Sequence, residues 1–214
     1  DDLELSLNYI NELSKKYKKI LFVDGNHEHV NAYPNLYSSE YINEKVKLLN
    51  NDKIVYLPDN EYIIDDIVFI GFCGWWDYNN EKNKKLSIEY FKKWIPDFTK
   101  QDNLDFIDNV LQKAKEEYQK MDELIQKYEK DDNINKIILV THSVGHKDFK
   151  VVNKDTDYNT MFDEIYSEKI KYWLFGHTHY EIDYIKNKIH FICNPRGRPD
   201  DFNREKYSLK TINI

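Results

Sequence analysis

Lys19-Ile20-Leu21-Phe22-Val23-Asp24-Gly25-Asn26-His27-Glu28-His29 is the stretch from which the fold is read. A short β-rich run over 19–23 stops at the turn signal Asp24-Gly25, as a buried strand does. An amide, two imidazoles and a carboxylate follow at once. The same pattern recurs twice: Lys136–Val140 runs into Thr141-His142-Ser143, and Tyr172–Phe175 runs into Gly176-His177-Thr178-His179. Five of the seven histidines flank these three strand ends. In open α/β sheets, ligands bind beyond the carboxyl ends of the strands, so three loops distant in sequence are expected to meet.

Outward from these runs the pattern alternates. Leu3, Leu7, Ile10, Leu13 and Tyr17 predict an amphipathic helix over 3–17, and residues 38–50 predict another. Short β-like runs follow at 54–57, 62–64 and 67–71, whereas 79–103 is polar, aromatic and ambiguous. Residues 104–129 predict a long helix with one solvated face, a cover or helical insertion within the domain. A short helix is expected over 161–170, and a hairpin turning at Asn187-Lys188 joins runs 181–186 and 189–193. Early strand–helix alternation with a β-rich tail indicates a single layered α/β domain over 1–214.

Composition excludes several classes. The 214 residues are 41% hydrophobic and 32% charged, enough apolar material for a core. No apolar run reaches the ~20 residues of a membrane helix. The acidic start, Asp1-Asp2, is unlike a signal peptide, so a cytoplasmic location is expected. A net charge of −7 with dispersed Lys and Arg disfavours binding to extended duplex nucleic acid. Cys73 and Cys193 each end an apolar run and read as reduced core residues.

The three loops carry metal-capable groups. Imidazoles and an Asn carbonyl are neutral ligands for ions such as Zn, Mn or Fe. On an extended segment His177 and His179 would point to one side, with Thr178 opposite. Gly25 and Gly176 fit tight strand-to-loop turns where a Cβ would obstruct approach. His29, His146 and His190 belong to no motif and read as surface or packing residues, or for His29 the pocket mouth.

Gly25-Asn26-His27-Glu28, Thr141-His142 and Gly176-His177-Thr178-His179, in that order, resemble the calcineurin-like metallophosphoesterases. Cys193-Asn194-Pro195-Arg196-Gly197 and Gly74-Trp75-Trp76-Asp77 are similar to a branch of small bacterial and phage members. The resemblance implies a four-layer α/β/β/α sandwich with mixed sheets and two divalent ions, Mn, Fe, Zn or Ni, between the sheets. It assigns Asn26, His142 and His177 to one ion and His179 to the other. It leaves His27 to protonate the leaving oxygen or to stabilise phosphoryl charge, and Glu28 to orient neighbouring imidazoles. Arg196 could contact a substrate oxygen, with a structural or surface role as its alternative. The implied activity is hydrolysis of a small phosphoester by a metal-bridging hydroxide.

The sequence departs from the family at its start. The opening Asp-x-His and Gly-Asp blocks are absent, and residues 1–18 resemble the helix that follows them. The expectation is a chain beginning downstream of two core strands and three ligands, weakly active or inactive alone. Two rival readings stand beside it: a catalytically inactive scaffold, and a nuclease or phosphodiesterase of the same superfamily. Trp75, Trp76 and Asp77 read as core packing or as an aromatic wall that selects the substrate.

Overall fold

The computed structural model describes residues 2–149, 158–197 and 204–214. In chain order the elements are α1 (Asp2–Leu13), β1 (Ile20–Phe22), α2 (Ser39–Leu48), β2 (Ile54–Tyr56), β3 (Tyr62–Ile64), β4 (Ile67–Phe72), α3 (Lys84–Trp94), α4 (Lys100–Glu129), β5 (Lys136–Thr141), β6 (Ile170–Phe175), β7 (Ile182–Lys186) and β8 (Ile189–Cys193). Short 3-10 turns cover Asn26–Ala32, Lys147–Phe149, Thr160–Glu164 and Arg204–Lys206. Two sheets result. β1 and β2 pair in parallel, and a six-stranded sheet runs β3-β4-β5-β6-β8-β7. Its inner pairs β4–β5, β5–β6 and β6–β8 are parallel, and its outer pairs β3–β4 and β7–β8 are antiparallel. The carboxyl ends of β4, β5, β6 and β8 therefore share one end of the sheet.

Side-chain alternation builds four layers. Leu3, Leu7, Ile42 and Val46 from α1 and α2 pack with Ile54 and Tyr56 over the small sheet. Gly71 of β4 turns its missing side chain to the small sheet, where an added Cβ would lie 2.7 Å from Val23 Cγ1 and 2.8 Å from Leu57. The alternate residues Val68, Ile70 and Phe72 face the other way, onto Met121, Ile125 and Tyr128 of α4. The order is α1/α2, small sheet, large sheet, α4, the expected α/β/β/α arrangement.

α4 is more than a solvated cover. Thr99 caps it, accepting from Asp102 N while Asp102 accepts from Thr99 N, so it begins four residues before the expected 104. Its carboxyl half packs on the large sheet. Its amino half (Phe106, Ile107, Val110, Leu111, Ala114) builds a second cluster with Trp75, Trp76, Tyr78 and Phe91. One helix thus joins the sheet core to the aromatic loop after β4.

Three expectations change. The helix expected over 161–170 is only a 3-10 turn, Thr160–Glu164, capped by Asn159. Ile170 is taken by strand pairing with Ile137, whose N–H donates to Lys169 O, so no second helical turn can form. α1 ends at Leu13, and Tyr17 lies outside it, exposed. The ambiguous 79–103 segment resolves into a left-handed turn, with φ of 54°, 57°, 53° and 66° at Tyr78, Asn79, Asn80 and Glu81, followed by α3 and the start of α4. Asn187 and Lys188 both have positive φ, the signature of a tight two-residue hairpin, as expected. Cys73 and Cys193 are free thiols, both buried. Among the described residues, no helix is long and apolar enough to cross a membrane.

Gly71→Ala tests the sheet-to-sheet contact. Overpacking of this kind costs about 1–3 kcal/mol, which a urea-unfolding midpoint would report. An unchanged midpoint would mean that the sheets separate without cost.

Candidate metal centre

Parallel pairing brings the three loops together, and backbone hydrogen bonds fix their ends. His142 N and Ser143 N both donate to Cys73 O, at 3.0 and 2.9 Å, tying the end of β5 to the end of β4. Gly176 N donates to His142 O at 3.0 Å, tying β6 to β5. Trp173 Nε1 donates to Thr141 Oγ1, which donates to Ser143 O, bracing the turn from within the core.

The loop after β1 approaches from the small sheet. Asn26 Oδ1 lies 2.8 Å from His142 Nε2, and His177 Nδ1 lies 3.0 Å from the same nitrogen. Asn26 is buried, and its carbonyl accepts from the Tyr33 hydroxyl. Gly25 permits this approach: a Cβ there would sit 2.6 Å from His142 Nδ1. Gly176 is different, since its added Cβ would meet nothing closer than His142 O at 3.5 Å. The expected steric need for glycine therefore holds at the first loop and not at the third.

The donor set is rich in lone pairs. Burial first, and then the neighbouring His177, His27, His179 and His29, push the His142 pKa well below its ordinary value. A neutral His142 brings at most one ring proton to a cluster that also holds an amide oxygen and a second imidazole. Neighbouring ligands at right angles around an ion, with bonds of ~2.0–2.1 Å, stand ~3 Å apart. Asn26 and His177 each stand at that distance from His142, a spacing that suits neighbouring ligands of a divalent ion. His179 and His27 are close enough to act on His142 electrostatically. Among the described residues no group of three or more His, Cys, Asp or Glu forms a metal cage by itself.

His177 and His179 have φ of 64° and 57°. The segment is thus not extended, as expected from the sequence, but passes twice through the left-handed region, while Thr178 is buried against Cys193. Two non-glycine residues held in sparsely populated backbone states at one loop mark a strained site. Trp76 packs against the His177 ring, with centroids 5.5 Å apart.

Glu28 holds the first loop. Its carboxylate accepts from Ser6 Oγ at 2.6 Å and from Gly25 N at 2.7 Å, so it ties the loop to α1. Arg196 makes a weak 3.5 Å contact with the Tyr9 hydroxyl on the exposed side of α1. His146 and His190 pair with surface acids, as packing residues do.

A second polar layer lies beneath the loops. His29 is buried; Tyr37 N donates to its Nδ1, so its Nε2 carries the proton and donates to Asp24 Oδ2 at 2.7 Å. Tyr56 donates to the other Asp24 oxygen at 2.6 Å. Glu117 reaches in from α4 and accepts from Gly74 N and Trp75 N, at 2.8 and 3.1 Å. Burial, then the nearby Asp24 charge, push the Glu117 pKa up to about 8. Sequence reading missed Asp24 and Glu117. Asp24 stood within the first motif as a turn residue, and a single Glu on a Lys/Glu-rich helix carries no sequence signal.

Two measurements follow. Gly25→Ala displaces His142 and should abolish metal retention in elemental analysis, whereas Gly176→Ala should keep it; equal retention would deny Gly25 its steric role. The native fold keeps the Glu117 proton up to about pH 8, while the unfolded chain releases it near 4.5. Its contribution is therefore fully present below the lower value and is lost as pH rises through the interval. Glu117→Gln has no proton to lose, so its urea midpoint should rise relative to wild type across this range. Parallel pH profiles would contradict this.

Comparison with known proteins places this geometry. A family model described as calcineurin-like phosphoesterase matches residues 1–181. An uncharacterized protein of Acanthamoeba polyphaga mimivirus is 26% identical over 215 residues, covering 88% of this chain and 71% of its own length. Among solved structures, the phosphopantetheinyl hydrolase of Mycobacterium tuberculosis superposes with a TM-score of 0.63 at 15% identity, over 94% of this chain and 77% of its own. At that identity the likeness establishes a shared fold. The family match runs through all three histidine-bearing loops, and this chain belongs to the calcineurin-like phosphoesterases, a family of metal-dependent hydrolases of phosphoesters.

Proposed function

We propose that this protein hydrolyses a small phosphoric ester at a two-ion centre, with Asn26, His142 and His177 holding one ion and His179 contributing to the other. The observation that carries the reading is that Asn26 Oδ1 and His177 Nδ1, from two other loops, both lie within 3.0 Å of His142 Nε2. When bound, the ions supply Lewis acidity toward phosphoryl oxygens and an activated water near neutral pH.

The remaining work falls to the chain. Asn26 presents an amide oxygen, fixed by the hydrogen bond from Tyr33 to its backbone carbonyl. The depressed pKa of His142 keeps its lone pair available at neutral pH. His27 stands outside the donor set, on the same loop as Asn26, and delivers a proton to the leaving oxygen or stabilises phosphoryl charge. Glu28, bonded to Gly25 and α1, fixes the loop that carries both. Arg196 is a lesser candidate for substrate contact, by way of its position after β8.

The test uses the full-length natural polypeptide, loaded with Mn, on chromogenic phosphomonoesters and diesters. Chelation should abolish turnover, and manganese, or another first-row ion, should restore it. His27→Ala should lower kcat by roughly 10²- to 10⁴-fold with metal content unchanged, the range for a lost general acid. His142→Ala should lose metal as well as activity. Turnover that survives chelation would overturn the proposal. A protein with neither metal nor turnover would be a binding scaffold instead.

A further inference from the structure

Four tryptophans occur in the chain. Trp75, Trp76 and Trp173 are at most 3% exposed, whereas Trp94 is 41% exposed. Trp94 is the last residue of α3, and its ring stands edge-on to the His27 ring with centroids 5.7 Å apart. Ser87 and Phe91, on the buried side, anchor α3; Phe91 packs on Phe106 of α4. The adjacent face carries Leu86, Tyr90 and Trp94 at four-residue spacing, exposed by 59%, 43% and 41%. Side chains four apart on a helix are neighbours, so these three form an apolar strip that ends at His27.

A residue that protonates a leaving oxygen must come within about 2.6–3.2 Å of it. Whatever that oxygen is attached to then lies beside the His27 ring, against which the Trp94 indole stands. α3 also carries Lys84, Lys85, Lys92 and Lys93, of which Lys84 pairs with Glu81 and Asp108 and Lys92 with Glu89. An indole beside the ring that faces the leaving oxygen favours a leaving group with a planar body.

We propose that Trp94 is a specificity-determining residue: its indole is the wall against which the leaving group lies, and it selects phosphoesters whose leaving group carries a planar aromatic ring. This rests on the reading of His27 as the group facing the substrate. Trp94 touches the leaving group itself, and Tyr90 extends the same surface outward. The selectivity comes from stacking, which is worth about 1–3 kcal/mol per ring in comparable contacts, or roughly a 5- to 150-fold preference.

The experiment compares phenyl and n-butyl phosphoesters on the full-length natural polypeptide, for wild type, Trp94→Ala and Trp94→Phe. Trp94→Ala should lose at least about tenfold more kcat/KM on the phenyl ester than on the butyl ester, and Trp94→Phe should retain most of the preference. Equal losses on both esters would mean that Trp94 only props His27, and would overturn the inference, as would no loss on either. Binding gives a second readout that needs no turnover. Phenylphosphonate should quench tryptophan emission saturably in wild type and not in Trp94→Phe, and butylphosphonate should quench neither. Absence of hydrolysis of every ester would defeat the phosphoesterase reading, while the quenching would still decide for or against Trp94.

Discussion

The contact between the Gly25 backbone and the His142 imidazole is the constraint on which the centre depends. His142 belongs to the large sheet and Gly25 to the loop leaving the small one. Only a residue without a side chain lets the two approach until Asn26 Oδ1 is 2.8 Å from His142 Nε2. Gly71 performs the matching task one layer deeper, between β4 and the Val23–Leu57 pair. The spacing of the sheets and the spacing of the donors are thus set by the same device, because close-packed interiors leave no slack for an added methyl group.

Around this contact the polar groups are satisfied in layers. His142 is held through its backbone to Cys73 and Gly176, leaving its ring free to meet Asn26 and His177. Asp24 collects hydrogen bonds from His29 and Tyr56 beneath the loop. Glu117, in the same layer, clamps the two amides that follow β4. A buried carboxyl group tolerates such a position by keeping its proton or by gathering donors, and the nearby Asp24 charge adds to the cost of ionising Glu117. The long helix α4 is consequently part of the site's foundation, because it supplies Glu117 and packs on the Trp75–Trp76 loop that rests on His29 and His177.

Strain sits where the chemistry sits. His177 and His179 occupy the left-handed region, and so do the four residues from Tyr78 to Glu81, two of them asparagines, which accept it more readily than most. The second of these segments leads into α3 and so carries Trp94 to His27. Backbone in these states persists only where the surroundings fix it, and here the aromatic cluster and α4 do so.

The sequence by itself determined the three strands with polar ends, the long helix and the Asn187-Lys188 hairpin, because apolar periodicity and turn chemistry are local properties, although the first strand is only half-buried. It misjudged 161–170, where pairing of Ile170 with Ile137 outcompeted a short helical pattern. It gave no sign of Asp24 and Glu117 as partners of the site, and it took the His177–His179 segment as extended. The tertiary structure alone decided which glycine is indispensable, where Glu28 spends its carboxylate, and that Trp94 stands against His27. Each of these depends on contacts between segments tens of residues apart, and such contacts exist only once both sheets have closed on one another.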